Sequence, residues 1–307
     1  MAFRWHGVGP LASDSRKWIA SPSGVTLCRP ADRRPCPGTS AAPCPRPDRH
    51  PRMLRSLLLA AVSALAVTSC AAAPDPPPRP TPAAVDVQSF ETLPEATTFA
   101  KIDALPRDDG TSPTAGQVLR PDKAVPVYDR PDGKAVARLP GTQLGSPTWV
   151  PEIARQDGWS QVLLPSRPNR SSGWVFTGSG DFERAENDFL VTVDLAAFRL
   201  EVSEKGKPLS AWTVGTGKPE YPTPTGRTYL LASIKETVTT FSPHILPLGA
   251  HSESHETFGG GPGTVALHGW PDASPFGTAT SDGCIRVPDD ALDLLLTLPL
   301  GTVVIVK

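Results

Sequence analysis

The sequence predicts a mainly β protein with one short helix near its C-terminus. Residues 190–194 and 198–202 alternate apolar and polar side chains across a short turn, which is typical of a half-buried β-hairpin. Upstream, short apolar runs are separated by turns that contain Asp-Gly or Pro. The helix signal begins at residues 288–291, whose acidic first turn suits the positive end of a helix, and it ends at Pro299 and Gly301.

Residues 53–69 are predicted to be a lipoprotein signal peptide. A positive start precedes an apolar run at residues 56–67, which is too short to span a membrane. Residues 67–70, Val-Thr-Ser-Cys, resemble the lipobox of bacterial lipoproteins, in which the cysteine becomes the lipidated first residue. We therefore expect an extracytoplasmic protein that Cys70 anchors to the bacterial cell membrane, facing the cell wall. An ordinary cleaved signal peptide is the alternative.

Residues 1–52 are predicted to be a non-native or disordered extension, with Met53 as the true initiator. The segment holds nine prolines and no sustained apolar period, so it cannot bury a core. A metal-binding extension is the alternative, because Cys28, Cys36 and Cys44 are evenly spaced. Zinc sites usually open with a closer pair of ligands, which disfavours that alternative.

The charge distribution argues against nucleic acid as a partner. Residues 1–69 hold ten Lys and Arg against three Asp and Glu, whereas the remaining residues hold 20 against 28, a net charge of −8. A mature chain this acidic is a poor match for a phosphate backbone.

Two segments precede the C-terminal domain. Residues 70–110 are rich in Pro, Ala, Thr and Asp and are predicted to form an extended tether. Residues 115–180 contain four short apolar runs, with Gly-Trp at 158–159 and Gly-Trp-Val at 173–175. This pattern resembles bacterial SH3 domains and implies a small SH3-like β-barrel. Both a spacer with core tryptophans and a domain that binds wall polymer remain open.

Residues 187–307 are predicted to be the catalytic domain. No P-loop or dinucleotide fingerprint is present, since the glycines at 215 and 217 lack a correctly spaced third. Residues 236–263 show no clear element and are predicted to be a lid or substrate-binding loop. Its histidines, 244, 251 and 255, are interpreted as polar lid residues. His251 and His255 have a metal-like spacing, but the glutamate that follows the first histidine in zinc proteases is absent.

The chemistry centres on Cys284, which has His268 sixteen residues before it. A cysteine without a covalent partner is a liability in an oxidising compartment unless its reactivity is used. Acyl transfer uses such a thiol as the nucleophile, and a histidine is the natural base or ion-pair partner. Backbone N–H groups at Gly283 and Cys284 are candidates for an oxyanion site, and Gly283 lets a substrate carbonyl approach closely.

These residues, with the Pro-Thr-Pro-Thr-Gly loop at 222–226 and Ser-x-Gly-Cys-x-Arg at 281–286, resemble the L,D-transpeptidase (YkuD) catalytic domain. The resemblance implies a β-rich fold whose cysteine is acylated by a peptidoglycan stem peptide. The donor tetrapeptide is cleaved after its third residue, commonly meso-diaminopimelate, D-Ala is released, and an amine of another stem accepts the acyl group. It also implies that the Gly269 carbonyl fixes the histidine tautomer and that carbapenems acylate Cys284. No cofactor or metal is expected.

The sequence departs from the family at one position, because the usual Ser-His-Gly-Cys has Asp282 in place of histidine. Asp282 is expected to order the loop, bind a substrate amine or tune the thiolate, although a nearby carboxylate opposes thiol ionisation. Arg286 is interpreted either as a partner for a stem-peptide carboxylate or as one half of a structural salt bridge. Further candidate substrate-binding residues are Ser281, Tyr221 and Trp270. The aromatic residues Tyr221, Trp270 and Phe276 are expected to line the cleft, with a packing role as the alternative.

Two other functions remain open. The same acyl-enzyme attacked by water would make the protein an L,D-carboxypeptidase or endopeptidase. Alternatively, the Asp282 change marks a decayed site in a catalytically inactive lipoprotein that binds the cell wall.

Overall fold

The computed structural model describes residues 81–82, 84–237, 241–258 and 261–307. The predicted extension, the signal peptide and Cys70 lie outside the described residues. Within these ranges the protein is mainly β, with two short helices of which one lies near the C-terminus, so the predicted fold class is confirmed. No helix of the described ranges is long and apolar enough to cross a membrane.

The N-terminal module, residues 81–186, contains one helix and nine strands. They are α1 (Val87–Thr92), β1 (Gln117–Pro121), β2 (Val125–Tyr128), β3 (Ala135–Leu139), β4 (Thr142–Gln143), β5 (Ser146–Pro147), β6 (Val150–Gln156), β7 (Trp159–Leu163), β8 (Ser172–Phe176) and β9 (Phe182–Glu186). Seven strands form one sheet in the order β3-β2-β8-β7-β6-β1-β9, and β4 pairs with β5.

Trp159 of the N-terminal module is fully buried. Tyr128 and Phe176 meet its ring edge-on, with centroids 4.9 and 5.3 Å away. Asp157 and Gly158, at the β6–β7 turn, both have positive φ, as a tight two-residue hairpin turn requires. Trp159 is therefore a core residue, and whether the module also binds a ligand stays a prediction.

The segment predicted as an extended tether is folded over its second half. Helix α1 begins at Val87, and beyond it Ala96, Ile102 and Leu105 are buried against the strands of the module. The prediction is wrong for this part of 70–110. The few apolar side chains of this segment are too widely spaced to produce a periodic signal. They are nevertheless buried, because they pack against the apolar side chains of the strands.

The C-terminal domain, residues 187–307, contains thirteen strands and one helix within the described ranges. They are β10 (Phe189–Asp194), β11 (Arg199–Glu204), β12 (Lys207–Thr213), β13 (Thr216–Gly217), β14 (Gly226–Tyr229), β15 (Ile234–Lys235), β16 (His244–His251), β17 (Thr257–Phe258), β18 (Gly261–Pro262), β19 (Thr264–His268), β20 (Ala279–Ser281), β21 (Ile285–Arg286), α2 (Asp289–Thr297) and β22 (Val303–Val306).

A five-stranded sheet of order β12-β11-β10-β22-β14 forms one side of this domain. The predicted hairpin is β10 and β11, whose inward side chains include Val191 and Leu200. Lys205 and Gly206, at the next turn, have the positive φ of a tight turn. Strand β22 runs parallel to β10 and is buried along its whole length, which explains its unbroken apolar sequence.

A four-stranded sheet of order β15-β16-β19-β21 carries the site described below. Its strand β16 corrects the prediction that residues 236–263 lack a clear element. Seven of its eight residues are buried, and a strand covered on both faces shows no alternation. Pro247 further weakens the strand signal, since proline usually indicates an edge strand or a turn.

The core of the C-terminal domain lies among both sheets and helix α2. The helix buries Ala291, Leu292 and Leu295, while Leu296 is only partly buried. Strands β19 and β21, which flank the site, contribute Leu267 and Ile285 to the same cluster.

Candidate active site

Two parallel strands bring the predicted nucleophile and base to the same place. In the register of β19 and β21, Leu267 lies opposite Ile285 and His268 opposite Arg286. Cys284 directly precedes β21, so this pairing places it beside Ala266 of β19, two residues before His268. Cys284 and His268 both line the same open cleft.

His268 is buried and held by the backbone that follows it. Its side chain is 4% exposed, and its Nδ1 lies 2.7 Å from the Gly269 carbonyl oxygen. The Gly269 amide in turn donates to Ser242 Oγ at 2.8 Å. A carbonyl oxygen can only accept, so the contact places the proton on Nδ1 and leaves the Nε2 lone pair free.

Burial lowers the pKa of His268 from 6.5 to about 4, with a smaller contribution in the same direction from Arg286, while the bond to Gly269 acts against it. The ring is therefore neutral near pH 7. A neutral imidazole with a free Nε2 is the protonation state that a general base needs.

Cys284 is a free and partly exposed cysteine. Burial raises the pKa of its thiol, and the Asp282 carboxylate adds to that increase. A backbone hydrogen bond from Ala266 and the charge of Arg286 lower this pKa. Among the described residues no hydrogen bond joins the thiol to His268, a geometry common in substrate-free sites whose contacts tighten on binding.

The turn before Cys284 is fixed by the Ser281 hydroxyl. Ser281 Oγ donates to the Cys284 carbonyl oxygen at 2.5 Å and accepts from the Gly283 amide at 3.1 Å. Gly283 has a φ of +113°, a conformation that strains residues with a Cβ. Because the Gly283 N–H already has an acceptor, the Cys284 N–H is the better candidate of the two predicted oxyanion donors.

Arg286 lies flat against an aromatic ring instead of pairing with an acid. Its Cζ is 3.8 Å from the Trp270 ring centroid, and Nη1 donates to Thr280 Oγ1 at 3.2 Å. No carboxylate of the described residues is within salt-bridge distance of it, and its buried Nε has no partner there. Burial lowers the pKa of this guanidinium. The geometry thus disfavours the structural salt bridge.

Asp282 is paired with a lysine from another loop. Its Oδ1 lies 2.8 Å from Lys218 Nζ, which also sits 4.6 Å from the ring centroid of Tyr221. Tyr221 does not line the cleft itself. Its ring packs 4.2 Å from that of His255, which does.

The aromatic wall of the cleft was only partly predicted. Trp270 lines the cleft as expected, whereas Phe276 does not. Phe241 and Phe258 line it too, and the Phe241 ring meets that of His268 edge-on with centroids 5.2 Å apart. Both belong to the segment interpreted as a substrate-binding loop, which was the only sequence signal that pointed to them.

Ser242 and Lys218 are the polar neighbours of the site that sequence reasoning missed. Each contacts a site residue that is distant in the chain, so neither belongs to a local motif.

Two of the lid histidines, His251 and His255, contact other groups of the protein. Both ring nitrogens of His251 lie within hydrogen-bond distance of carbonyl oxygens, those of Ser252 and Glu256, and the ring of His255 packs on Tyr221. No group of three or more His, Cys, Asp or Glu in the described ranges is placed to hold a metal ion.

Residues 188–306 match the family model of the L,D-transpeptidase catalytic domain, YkuD. The matched segment contains His268, Cys284 and the other residues that line the cleft. No curated relative matches the chain in sequence.

Solved structures with similarity to part of the chain include several L,D-transpeptidases. One from Mycobacterium smegmatis is 18% identical, with a TM-score of 0.34, and the match covers 48% of this chain and 90% of that one. L,D-transpeptidase 3 from Mycobacterium tuberculosis, in complex with a faropenem-derived adduct, is 18% identical, with a TM-score of 0.33 and coverages of 45% and 74%. The catalytic domain of the E. faecium enzyme is 22% identical, with a TM-score of 0.31 and coverages of 39% and 98%.

Proposed function

We propose that the C-terminal domain is a cysteine-dependent L,D-transpeptidase that cross-links peptidoglycan stem peptides. The observation that carries the proposal is one cleft lined by the Cys284 thiol and by a neutral His268 with a free Nε2, in a segment that matches this catalytic-domain family. The roles below are those that the geometry supports best.

In the acylation step, Cys284 Sγ attacks the carbonyl carbon of the third residue of a donor tetrapeptide stem, and His268 Nε2 accepts the thiol proton. The tetrahedral intermediate then collapses to a thioester as the bond to the terminal D-Ala breaks. His268 returns the proton to the departing amine. The Cys284 N–H supports the oxyanion, and losing one such donor typically costs about 3 kcal/mol of transition-state stabilisation.

In the transfer step, an amine of a second stem attacks the thioester carbonyl. His268 accepts a proton from that amine and delivers it to the departing Cys284 sulfur, which restores the thiol as the new amide bond forms. Transfer requires that water is excluded from the acceptor side of the site, because attack of water on the thioester would give hydrolysis instead.

The resting site holds a thiol and a neutral imidazole. The pKa of Cys284 is raised and that of His268 is about 4, so a preformed thiolate–imidazolium pair is disfavoured. Proton transfer therefore accompanies attack on the carbonyl, as in a base-assisted mechanism.

Arg286 is the proposed partner of a donor carboxylate. Its guanidinium stacks on the Trp270 ring, which limits its orientation, and its Nε has no partner among the described residues. A planar, oriented guanidinium suits bidentate recognition of a carboxylate. Ser281 acts by fixing the turn, Asp282 belongs to the cleft wall, and Tyr221 packs behind that wall against His255.

The proposal includes an extracytoplasmic, lipid-anchored location, supported by the sequence of residues 53–70. It also includes inhibition by carbapenems, whose strained lactam would acylate Cys284 in place of a stem peptide.

The test is incubation of the protein with a tetrapeptide-bearing muropeptide, followed by mass spectrometry of the products. Muropeptide dimers with loss of D-Ala support transfer, whereas D-Ala loss without dimers means that water is the acceptor. The matched control is Cys284→Ala. Identical, unprocessed muropeptide from both proteins would overturn the enzymatic proposal in favour of a wall-binding protein.

A further inference from the structure

The loop that carries Cys284 is fastened to a second loop on both sides of Asp282. The Lys218 amide donates to the Ser281 carbonyl oxygen at 3.0 Å. Thr223 Oγ1 donates to the Gly283 carbonyl oxygen and accepts from the Gly217 amide, each at 2.9 Å. These backbone contacts bring the side chains of Lys218 and Asp282 together.

The resulting ion pair is half-exposed and faces the cleft wall. Lys218 Nζ and Asp282 Oδ1 are 2.8 Å apart, with side-chain exposures of 36% and 41%. The pairing with Asp282 raises the pKa of Lys218, so the cation persists at neutral and mildly alkaline pH. Tyr221 packs between this cation and the ring of His255, which limits the positions open to the lysine.

A carboxylate two residues from the nucleophile needs such a partner. The Asp282 carboxylate raises the pKa of the Cys284 thiol and so disfavours the reactive thiolate. The charge of Arg286 lowers that pKa. The titratable and charged groups that share the cleft with the thiol are His268, His255, Asp282 and Arg286. Asp282 and Arg286 are the two permanently charged side chains of this set. Within the described residues, only Asp282 is paired with an opposite charge.

We infer that Lys218 is a positioning residue for Cys284: through its ion pair with Asp282 it offsets the carboxylate beside the thiol and fixes the nucleophile loop. This arrangement stands where the family has a histidine, and the inference rests on the proposed function only in taking Cys284 as the nucleophile. Lys218 touches neither the thiol nor, as proposed, the substrate.

The test is the pH dependence of Cys284 alkylation by iodoacetamide in the full chain, read on the Cys284 peptide by mass spectrometry. Lys218→Met removes the cation but keeps the length of the side chain, so the midpoint moves to higher pH by about half a unit. Asp282→Asn leaves an unpaired cation and moves the midpoint to lower pH by a similar amount. The double variant lies close to the wild-type profile.

The opposite signs separate this role from a purely structural one, in which both single variants would lower stability and leave the midpoint unchanged. Midpoints that do not move, or that move in the same direction, overturn the inference. If Lys218→Met fails to fold, Lys218→Arg and Asp282→Asn provide the test. The inference then requires that Lys218→Arg, which keeps the positive charge, retains the wild-type midpoint and that Asp282→Asn lowers it. Alkylation needs no peptidoglycan, so shifts without muropeptide turnover would contradict the proposed function alone.

Discussion

Burial lowers the pKa of His268, so its imidazole is neutral and can act as a base at neutral pH. A histidine that served as a permanent cation would require a carboxylate beside it, yet the ring is bonded to the neutral Gly269 carbonyl. Burial of an uncompensated imidazolium is costly, so the neutral form prevails. Cys284 is subject to the same effect, since burial favours its uncharged thiol.

Acid should destabilise the fold through His268. Its pKa falls from 6.5 to about 4 on folding, so between these values the unfolded chain binds more protons than the native one. Stability is therefore fully present above pH 6.5 and is lost as pH falls towards 4, by on the order of 3 kcal/mol in total. Urea unfolding at a series of pH values measures this loss.

His268→Gln is the control for that measurement, because glutamine does not titrate. The difference in unfolding free energy between wild type and variant should shrink as the pH falls from 6.5 to 4. A constant difference across this range would show that His268 is not the responsible group.

Arg286→Lys should weaken recognition of the donor more than it slows chemistry. Lysine keeps the charge but cannot lie flat on Trp270 or offer a planar pair of donors. We expect KM for the tetrapeptide donor to rise roughly tenfold with little change in kcat. Steady-state kinetics provide the test, and a fall in kcat at constant KM would contradict the assignment of Arg286 to ground-state carboxylate binding.

At the scale of elements, the N-terminal module supports the strand that leads into the cleft wall. Asn169 Nδ2 donates to the His251 carbonyl oxygen at 2.7 Å, and Asn169 Oδ1 accepts from the His251 amide at 2.8 Å. Thr98 and Thr264, which lines the cleft, share a hydroxyl hydrogen bond of 2.5 Å. The end of β16 and the start of β19 are thus held from outside their own domain.

Asn169→Ala should destabilise the protein by about 2 kcal/mol, because it removes the partners of two backbone groups of His251. It should also slow acylation, since residues 252–258 of the cleft wall follow directly. Chemical denaturation and carbapenem acylation rates measure the two effects. Thr111→Ala, at an exposed position of the same module, serves as the control, and equal stability of both variants would refute the bracing role.

The elements predicted well from sequence are those with a local pattern. The hairpin of β10 and β11 alternates along its length, and helix α2 has its acidic start and its leucines. Strand β16 escaped prediction because burial on both faces removes alternation. Asp282 was recognised as a departure from the family, but its partner Lys218 was not, since ion pairs between distant loops leave no local signal.

At the scale of the molecule, the N-terminal module and the C-terminal domain share a core. Tyr229, Leu231 and Ala232 of the C-terminal domain are fully buried within the hydrophobic cluster of the N-terminal module. A buried ion pair adds to this connection, because Arg227 donates to both carboxylate oxygens of Asp108 at 2.8 and 2.7 Å.

The two parts should therefore unfold as one cooperative unit. Separation would expose the shared apolar side chains and leave Asp108 without its partner, a combination that disfavours a half-folded state. Scanning calorimetry of the whole protein should show one transition for the folded part, and Arg227→Met should lower its midpoint without splitting it. Two resolved transitions in the wild-type protein would contradict the shared core.

The central claim is that Cys284 carries the acyl group, and trapping that intermediate tests it most directly. The protein is mixed with a tetrapeptide-bearing muropeptide, quenched in acid within the first turnovers and mapped by peptide mass spectrometry. We predict a thioester adduct of the donor stem, shortened by D-Ala, on the Cys284 peptide, with slower formation in His268→Gln and none in Cys284→Ala. Muropeptide dimers formed by Cys284→Ala at the wild-type rate, or an adduct on any other residue, would contradict it.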